Sequence, residues 1–122
     1  MSRLSEDLRE RTKRTASMVI TLYVSLPKAR KEVEVLGTQL LRSGTSVASH
    51  AREASRARSD AEFCSKLDGL LQEADESLLW LELLREDCKI ENPLLGMTHS
   101  QMTEILAVFT TIVSKVRNSL PK

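Results

Sequence analysis

The sequence predicts an all-α protein: an antiparallel up-down-up-down four-helix bundle formed by a single domain over residues 1–122. Three observations support this fold class. Apolar residues recur at intervals of three and four along four segments, which is the spacing of one helical face. The chain has only three prolines and four glycines, too few for a sandwich or barrel with many turns. The connections between the segments are short, as between antiparallel neighbours in a bundle.

Helix 1 is predicted over about residues 5–25 and helix 2 over about residues 32–57. Pro27 ends helix 1, because proline lacks an amide proton and disfavours a helical residue before it. The middle of helix 2, Ser43 to Ser46, consists of weak helix formers. Such a segment is typical of a close helix–helix contact, and Gly44 permits the two backbones to approach.

Helix 3 is predicted over about residues 59–88 and helix 4 over about residues 98–118. Each begins at a candidate capping box, in which a hydroxyl accepts a backbone hydrogen bond and a side chain three residues later returns one. The boxes are Ser59 with Glu62 and Thr98 with Gln101. Residues 89–97 hold an Asn-Pro pair and a glycine, which predicts a loop between the helices.

The net charge of +1 argues against strong electrostatic capture of nucleic acid, but the charges are unevenly distributed. Residues 1–58 carry +6, residues 59–91 carry −7 and residues 92–122 carry +2. The basic and acidic parts either complement each other within the bundle or face external partners.

Eight basic residues are candidates for contact with phosphate or with a protein partner. They are Arg9, Arg11, Lys13 and Arg14 on helix 1, and Arg42, Arg52, Arg56 and Arg58 on and after helix 2. The alternative is that they are solvated or form ion pairs. No aromatic residue is interleaved with them, which argues against base stacking on a single strand.

Five apolar residues lie outside the core faces of helices 1 and 3 and are candidates for an oligomer interface. They are Ile20, Val24, Leu79, Trp80 and Leu83. In an up-down-up-down bundle the C-terminal ends of helices 1 and 3 lie at the same end, so the two groups could form one surface. Exposed apolar area of that extent is typical of a protein interface. The alternative is that a loop or the chain end covers it.

The sequence predicts no enzymatic activity, cofactor, metal site or small-molecule substrate. Neither His50 nor His99 follows a carboxylate at the Glu-x-x-His spacing of bundle metal sites. His50 is instead predicted to be a polar residue beside the core, hydrogen-bonded to a neighbouring helix. No phosphate-binding glycine loop, nucleophile elbow or zinc-spaced cysteine pair occurs. Four carboxylates on helix 3 are interpreted as solvated or as paired with a basic neighbouring subunit: Glu73, Asp75, Glu76 and Glu82.

The cysteines and the N-terminal region predict a cytoplasmic protein without a membrane span. Cys64 and Cys88 would lie roughly 36 Å apart along helix 3, beyond disulfide reach. Free thiols are typical of a reducing compartment. The charged first residues lack an apolar signal core, and the longest apolar stretch is too short to cross a bilayer.

Nearly the whole chain resembles the small four-helix-bundle proteins related to ribosomal RNA intervening-sequence proteins, most strongly from residue 39 to residue 84. The matching runs are QLLRSGTSV at 39–47, AREA at 51–54, RARS at 56–59, EADES at 73–77 and WLELL at 80–84. The resemblance implies an antiparallel bundle that assembles into a homopentameric ring. A related branch contains accessory proteins of diversity-generating retroelements, which are strongly basic pentamers that bind a reverse transcriptase and nucleic acid.

Two functions are therefore expected. The first is a non-enzymatic oligomeric scaffold that presents a charged surface to a partner. The second is a nucleic-acid-binding accessory to a reverse transcriptase or RNA machinery, with RNA or DNA as the ligand.

Overall fold

A computed structural model describes residues 3–121 and confirms the predicted four-helix bundle. The helices are α1 (Glu6–Ser25), α2 (Lys31–Ser55), α3 (Asp60–Glu86) and α4 (Pro93–Asn118). No strand occurs within the described range. Apart from the start of α4, each helix end lies within two residues of its predicted position.

Neighbouring helices run antiparallel, because contacts join the early part of one helix to the late part of the next. These contacts are Arg3 with Ser55 and Tyr23 with Glu34 between α1 and α2, Glu53 with Lys66 between α2 and α3, Glu82 with His99 and Asp68 with Arg117 between α3 and α4, and Ser25 with Asn92 between the end of α1 and the start of α4. Both α1 and α3 pack against α2 and α4, whereas no Cα atom of α1 lies within 8 Å of α3. The first and third helices are therefore diagonally opposite.

The predicted cap of α3 is confirmed at its hydroxyl. Ser59 Oγ accepts a hydrogen bond from the Glu62 amide at 3.0 Å, which satisfies one of the free donors at the helix start. The Glu62 carboxylate lies 3.5 Å from Arg58 Nε. At the start of α1, Ser5 Oγ accepts from the Leu8 amide at 3.2 Å in the same way.

The predicted start of α4 was wrong, because the helix begins five residues earlier, at Pro93. Asn92 Oδ1 accepts from the Leu94 amide at 2.9 Å, and proline follows at the first helical position, where its missing amide proton costs nothing. Thr98 is not a cap. It is buried within the helix, and its hydroxyl donates to the Leu94 carbonyl at 2.7 Å.

The core is aliphatic and occupies the predicted faces of all four helices. Its largest fully buried side chains include Leu22, Leu40, Leu67, Leu70, Leu81, Leu84, Met102, Ile105 and Phe109. Leu8 and Leu36 are only half-buried and pack against the edge of this core. Cys64 and Cys88 are buried free thiols.

The predicted close contact at Gly44 is present between α1 and α2. A Cβ atom at Gly44 would lie 2.8 Å from Val19 Cγ2, closer than side chains pack. Gly37 shows the same restriction nearer the start of α2, where a Cβ atom would lie 2.9 Å from Leu26 Cδ1. Glycine at these two positions therefore allows the α1 and α2 backbones to approach.

A buried pair of serines links α2 to α3. Ser43 Oγ and Ser77 Oγ are 2.7 Å apart, and neither residue is accessible to solvent. Ser77 also donates to the Glu73 carbonyl at 2.9 Å, which leaves its oxygen free to accept from Ser43. Small hydroxyl side chains thus satisfy each other at a position where a larger residue would separate the helices.

Replacing Gly44 with alanine should lower the free energy of unfolding by about 1–3 kcal/mol, because the new methyl group overlaps a β-branched side chain that cannot rotate away. Gly96→Ala is the matched control. A Cβ atom at Gly96 meets nothing within 4 Å, so this change should stabilise the helix by roughly 0.5–1 kcal/mol. Denaturant unfolding of both variants measures the effect. Equal stability changes would show that α1 and α2 are not tightly packed at Gly44.

Replacing Ser77 with alanine should cost about 1–3 kcal/mol, because it leaves the buried Ser43 hydroxyl without its partner. The double variant Ser43→Ala, Ser77→Ala should cost less than the sum of the two single changes, since it removes both polar groups. A double-mutant cycle of unfolding free energies gives the coupling. Strictly additive values would contradict a direct bond between the two hydroxyls.

Candidate functional site

A basic groove lies between α1 and α2, near the start of α1 and the end of α2. Its volume is about 840 Å³. Its lining residues are Glu6, Arg9, Glu10, Thr12 and Lys13 from α1, and Ala48, Ser49, Arg52, Ser55 and Arg56 from α2 and its C-terminal end. Because the two helices are antiparallel, the early residues of α1 face the late residues of α2. Four of the eight predicted basic residues meet here.

Among the described residues, those four cations have no carboxylate partner. Among residues 3–121, no acidic oxygen lies within 4 Å of the charged nitrogens of Arg9, Lys13, Arg52 or Arg56. Arg9 Nε is moreover buried without an acceptor in that range. Four cations that converge without a carboxylate partner among the described residues make the groove suited to receive an anion.

The structure places the other four predicted basic residues elsewhere. Arg42 pairs with Glu73 and Glu76 of α3, both at 3.2 Å, and Arg11 pairs with Glu104 of α4. Arg58 faces Glu62, and Arg14 lies in a separate groove between α1 and α4. Intramolecular ion pairing, the alternative considered above, therefore accounts for Arg11, Arg42 and Arg58.

Most of the predicted carboxylates are paired within the chain. Glu73 and Glu76 hold Arg42, and Glu82 lies 2.9 Å from His99 Nε2. Asp75 is exposed and has no ion-pair partner among the described residues. These contacts join α3 to α2 on one side and to α4 on the other.

A further ion pair crosses from α2 to α3 beyond the one made by Arg42. Lys66 Nζ lies 2.9 Å from Glu53 Oε2. The hydrogen bond from Lys66 lowers the pKa of Glu53, and the same bond raises the pKa of Lys66. Both side chains are largely solvated, so the pair contributes little to stability.

The five apolar candidates lie on two helices that do not contact each other, α1 and α3. We call Ile20 and Val24 the α1 patch, and Leu79, Trp80 and Leu83 the α3 patch. Ile20 and Leu79 are each 47% exposed and Val24 is 73% exposed, so no described segment covers them. The helices that carry the two patches, α1 and α3, lie diagonally opposite each other and do not make contact.

Trp80 connects the α3 patch to the core. Its ring is half-buried against the core, and its Nε1 is buried without an acceptor among the described residues. Two exposed apolar residues were not predicted: Val35 on α2 and Met97 on α4. Met97 faces Met18 across the groove between α1 and α4. Residues 93–97 were predicted as a loop; a prediction of helix there would have assigned Met97 to a helix face.

The two histidines belong to no metal-binding cluster in the described part of the chain. The His50 ring packs on Gly69, where a Cβ atom would lie 2.8 Å from His50 Cε1. Its Nδ1 is buried without a partner, so the predicted hydrogen bond to a neighbouring helix was wrong. Residues 3–121 contain no group of three His, Cys, Asp or Glu side chains able to hold a metal ion. No helix in this range is long and apolar enough to cross a membrane.

Comparison with known proteins finds similarity over most of the chain. A family model described as 23S rRNA-intervening sequence protein matches residues 6–111. The fold is also similar to a crystal structure of a protein of unknown function from the S23 ribosomal protein family of Bacteroides thetaiotaomicron. That structure has 32% sequence identity and a TM-score of 0.78, and the match covers 87% of this chain and 97% of the other. No curated protein matches.

Proposed function

The chain belongs to the 23S rRNA-intervening sequence protein family, and from this premise we propose that it is a non-enzymatic interaction protein that assembles with copies of itself into a ring. The observation that carries the proposal is the presence of exposed apolar side chains on two diagonally opposite helices. Contiguous exposed apolar area of this kind is typical of surfaces that bind proteins.

The positions of the patches favour a head-to-tail contact. In a two-fold dimer the same surface meets its own copy, whereas in a head-to-tail contact one surface meets a different surface of the next copy. The α1 patch and the α3 patch differ in composition and lie on helices that do not contact each other. Joining one to the other repeatedly gives a closed ring when the rotation allows it, and the family resemblance suggests five copies.

The proposal assigns no reaction to the chain, and the surroundings of its reactive side chains support this. His99 is held by Glu82, His50 packs on Gly69, and both cysteines are buried. Free thiols also agree with a cytoplasmic location. What the ring offers a partner is its charged surface.

The single variants Val24→Asp and Leu79→Asp should each abolish assembly, because a carboxylate in either patch would be desolvated in the interface. An equimolar mixture should form a two-chain complex that grows no further, since one variant keeps the α3 patch and the other keeps the α1 patch. Sedimentation velocity at micromolar concentration measures the masses, and circular dichroism checks that each variant remains helical.

Thr111→Asp, at an exposed position on α4, is the matched control and should assemble like the unmodified chain. A monomeric unmodified chain would refute self-assembly. A mixture of the two patch variants that regains the full mass, or that stays monomeric, would refute the head-to-tail contact.

A second candidate function is that of a nucleic-acid-binding accessory protein to an RNA machinery or a reverse transcriptase. The observation that favours it is the basic groove, where four cations converge without a carboxylate partner among the described residues. Cations of this kind bind phosphate in a salt-dependent manner, because each contact releases condensed counterions.

The unmodified chain should bind a fluorescent single-stranded RNA at low salt, and its affinity should fall linearly on a double-logarithmic plot against salt concentration. Fluorescence anisotropy with RNA and with DNA of the same sequence gives the affinity and the slope. Absence of binding at low salt with micromolar protein would exclude this second function and leave the scaffold proposal untouched.

A further inference from the structure

We infer that the basic groove between α1 and α2 binds the phosphodiester backbone of a single nucleic-acid strand, without recognition of the bases. The inference rests on the second proposed function and assigns it a site and a ligand chemistry. Arg9, Lys13, Arg52 and Arg56 are the proposed contacts.

The four cations form two facing pairs. Arg9 and Lys13 are one helical turn apart on α1, and Arg52 and Arg56 are one turn apart at the end of α2. Four residues rise about 6 Å along a helix axis. Each pair therefore presents two positive charges at a spacing close to that of successive phosphates on a strand. The antiparallel packing of the helices places the two pairs on either side of the groove.

The arrangement is unfavourable in the absence of an anion. Arg9 and Lys13 are like charges four residues apart within α1, a spacing that weakens a helix. Arg9 Nε is also buried without an acceptor among the described residues. Phosphate oxygens entering the groove would accept charge-assisted hydrogen bonds from the guanidinium groups and neutralise both pairs.

Two of the hydroxyl groups that line the groove already donate hydrogen bonds within the protein. The hydroxyls of Thr12 and Ser55 donate to carbonyls of their own helices, at 2.8 and 2.7 Å. Glu6 and Glu10 also line the groove, so the four cations and two carboxylates give its lining a formal charge of +2. A single small anion would therefore bind weakly, whereas a strand with closely spaced phosphates can contact both pairs of cations.

The lining excludes other partners by its chemistry. Ala48 is its only apolar side chain among the described residues, whereas a protein partner is usually anchored by buried apolar or aromatic residues. The lining contains no aromatic residue on which a base could stack. Contacts to phosphate alone carry no sequence information. The groove should therefore hold strands of different sequence equally well.

The test compares the double variant Arg52→Gln, Arg56→Gln with the control Arg85→Gln, Lys115→Gln. The control removes the same charge from exposed positions on α3 and α4, outside the groove. Anisotropy titrations with oligouridine and oligoadenosine over a range of salt concentrations give the slope for each protein. Thermal unfolding checks that both variants remain folded. Each variant removes cations from helix C-terminal ends, where they favour the helix, so the two should lose similar, small amounts of stability.

The slope of the logarithm of the binding constant against the logarithm of the salt concentration should become less steep in the groove variant, by roughly 0.7 for each phosphate that the protein no longer neutralises. The control variant should keep a slope close to that of the unmodified chain. Equal affinities for the two oligonucleotides are also expected.

The assignment of the site would be wrong, although RNA binding would stand, if the unmodified chain binds RNA but the groove variant keeps its salt slope. The same conclusion would follow if the control variant is weakened as much as the groove variant. A strong preference for one base would overturn backbone recognition. Displacement of the RNA by micromolar inorganic phosphate at constant ionic strength would overturn it too, because the groove would then be a site for free phosphate.

Discussion

The close approach of α1 and α2 at Gly44 determines the geometry of the rest of the molecule. Val19 packs where a side chain on Gly44 would otherwise lie, and this contact fixes the register of the two helices. The same register brings Arg9 and Lys13 opposite Arg52 and Arg56 at the far end of the pair. One packing contact thus positions both the core and the basic groove.

Much of the fold could be predicted from the sequence, because burial repeats along a helix with a fixed period. The faces through Leu40, Leu67 and Phe109 followed from that period, and the tight contact followed from the small residues around Gly44. The start of α4 was missed because an Asn-Pro pair is found both in loops and at helix starts. Which of the two applies depends on the cap formed by Asn92, which is a three-dimensional contact.

The candidate surfaces were less accessible to sequence reasoning. Composition identified eight basic residues, but the sequence gives no indication that Arg11 meets Glu104, 93 positions away, or that Arg42 holds two carboxylates of α3. The charges that remain unpaired emerge only once those contacts are known. In the same way, the periodicity located the apolar residues outside the core, but how far each one is exposed depends on the neighbouring helices.

The presence of one apolar patch on α1 and a different one on α3 has a consequence for any assembly that joins the first to the second. Every incomplete chain of copies carries one uncovered α1 patch at one end and one uncovered α3 patch at the other. Growth stops only when these ends meet, so the number of copies depends on the angle between the patches. That angle is set by interior packing. A core substitution that rotates α1 relative to α3 would therefore change the copy number, or produce an open filament, without altering either surface.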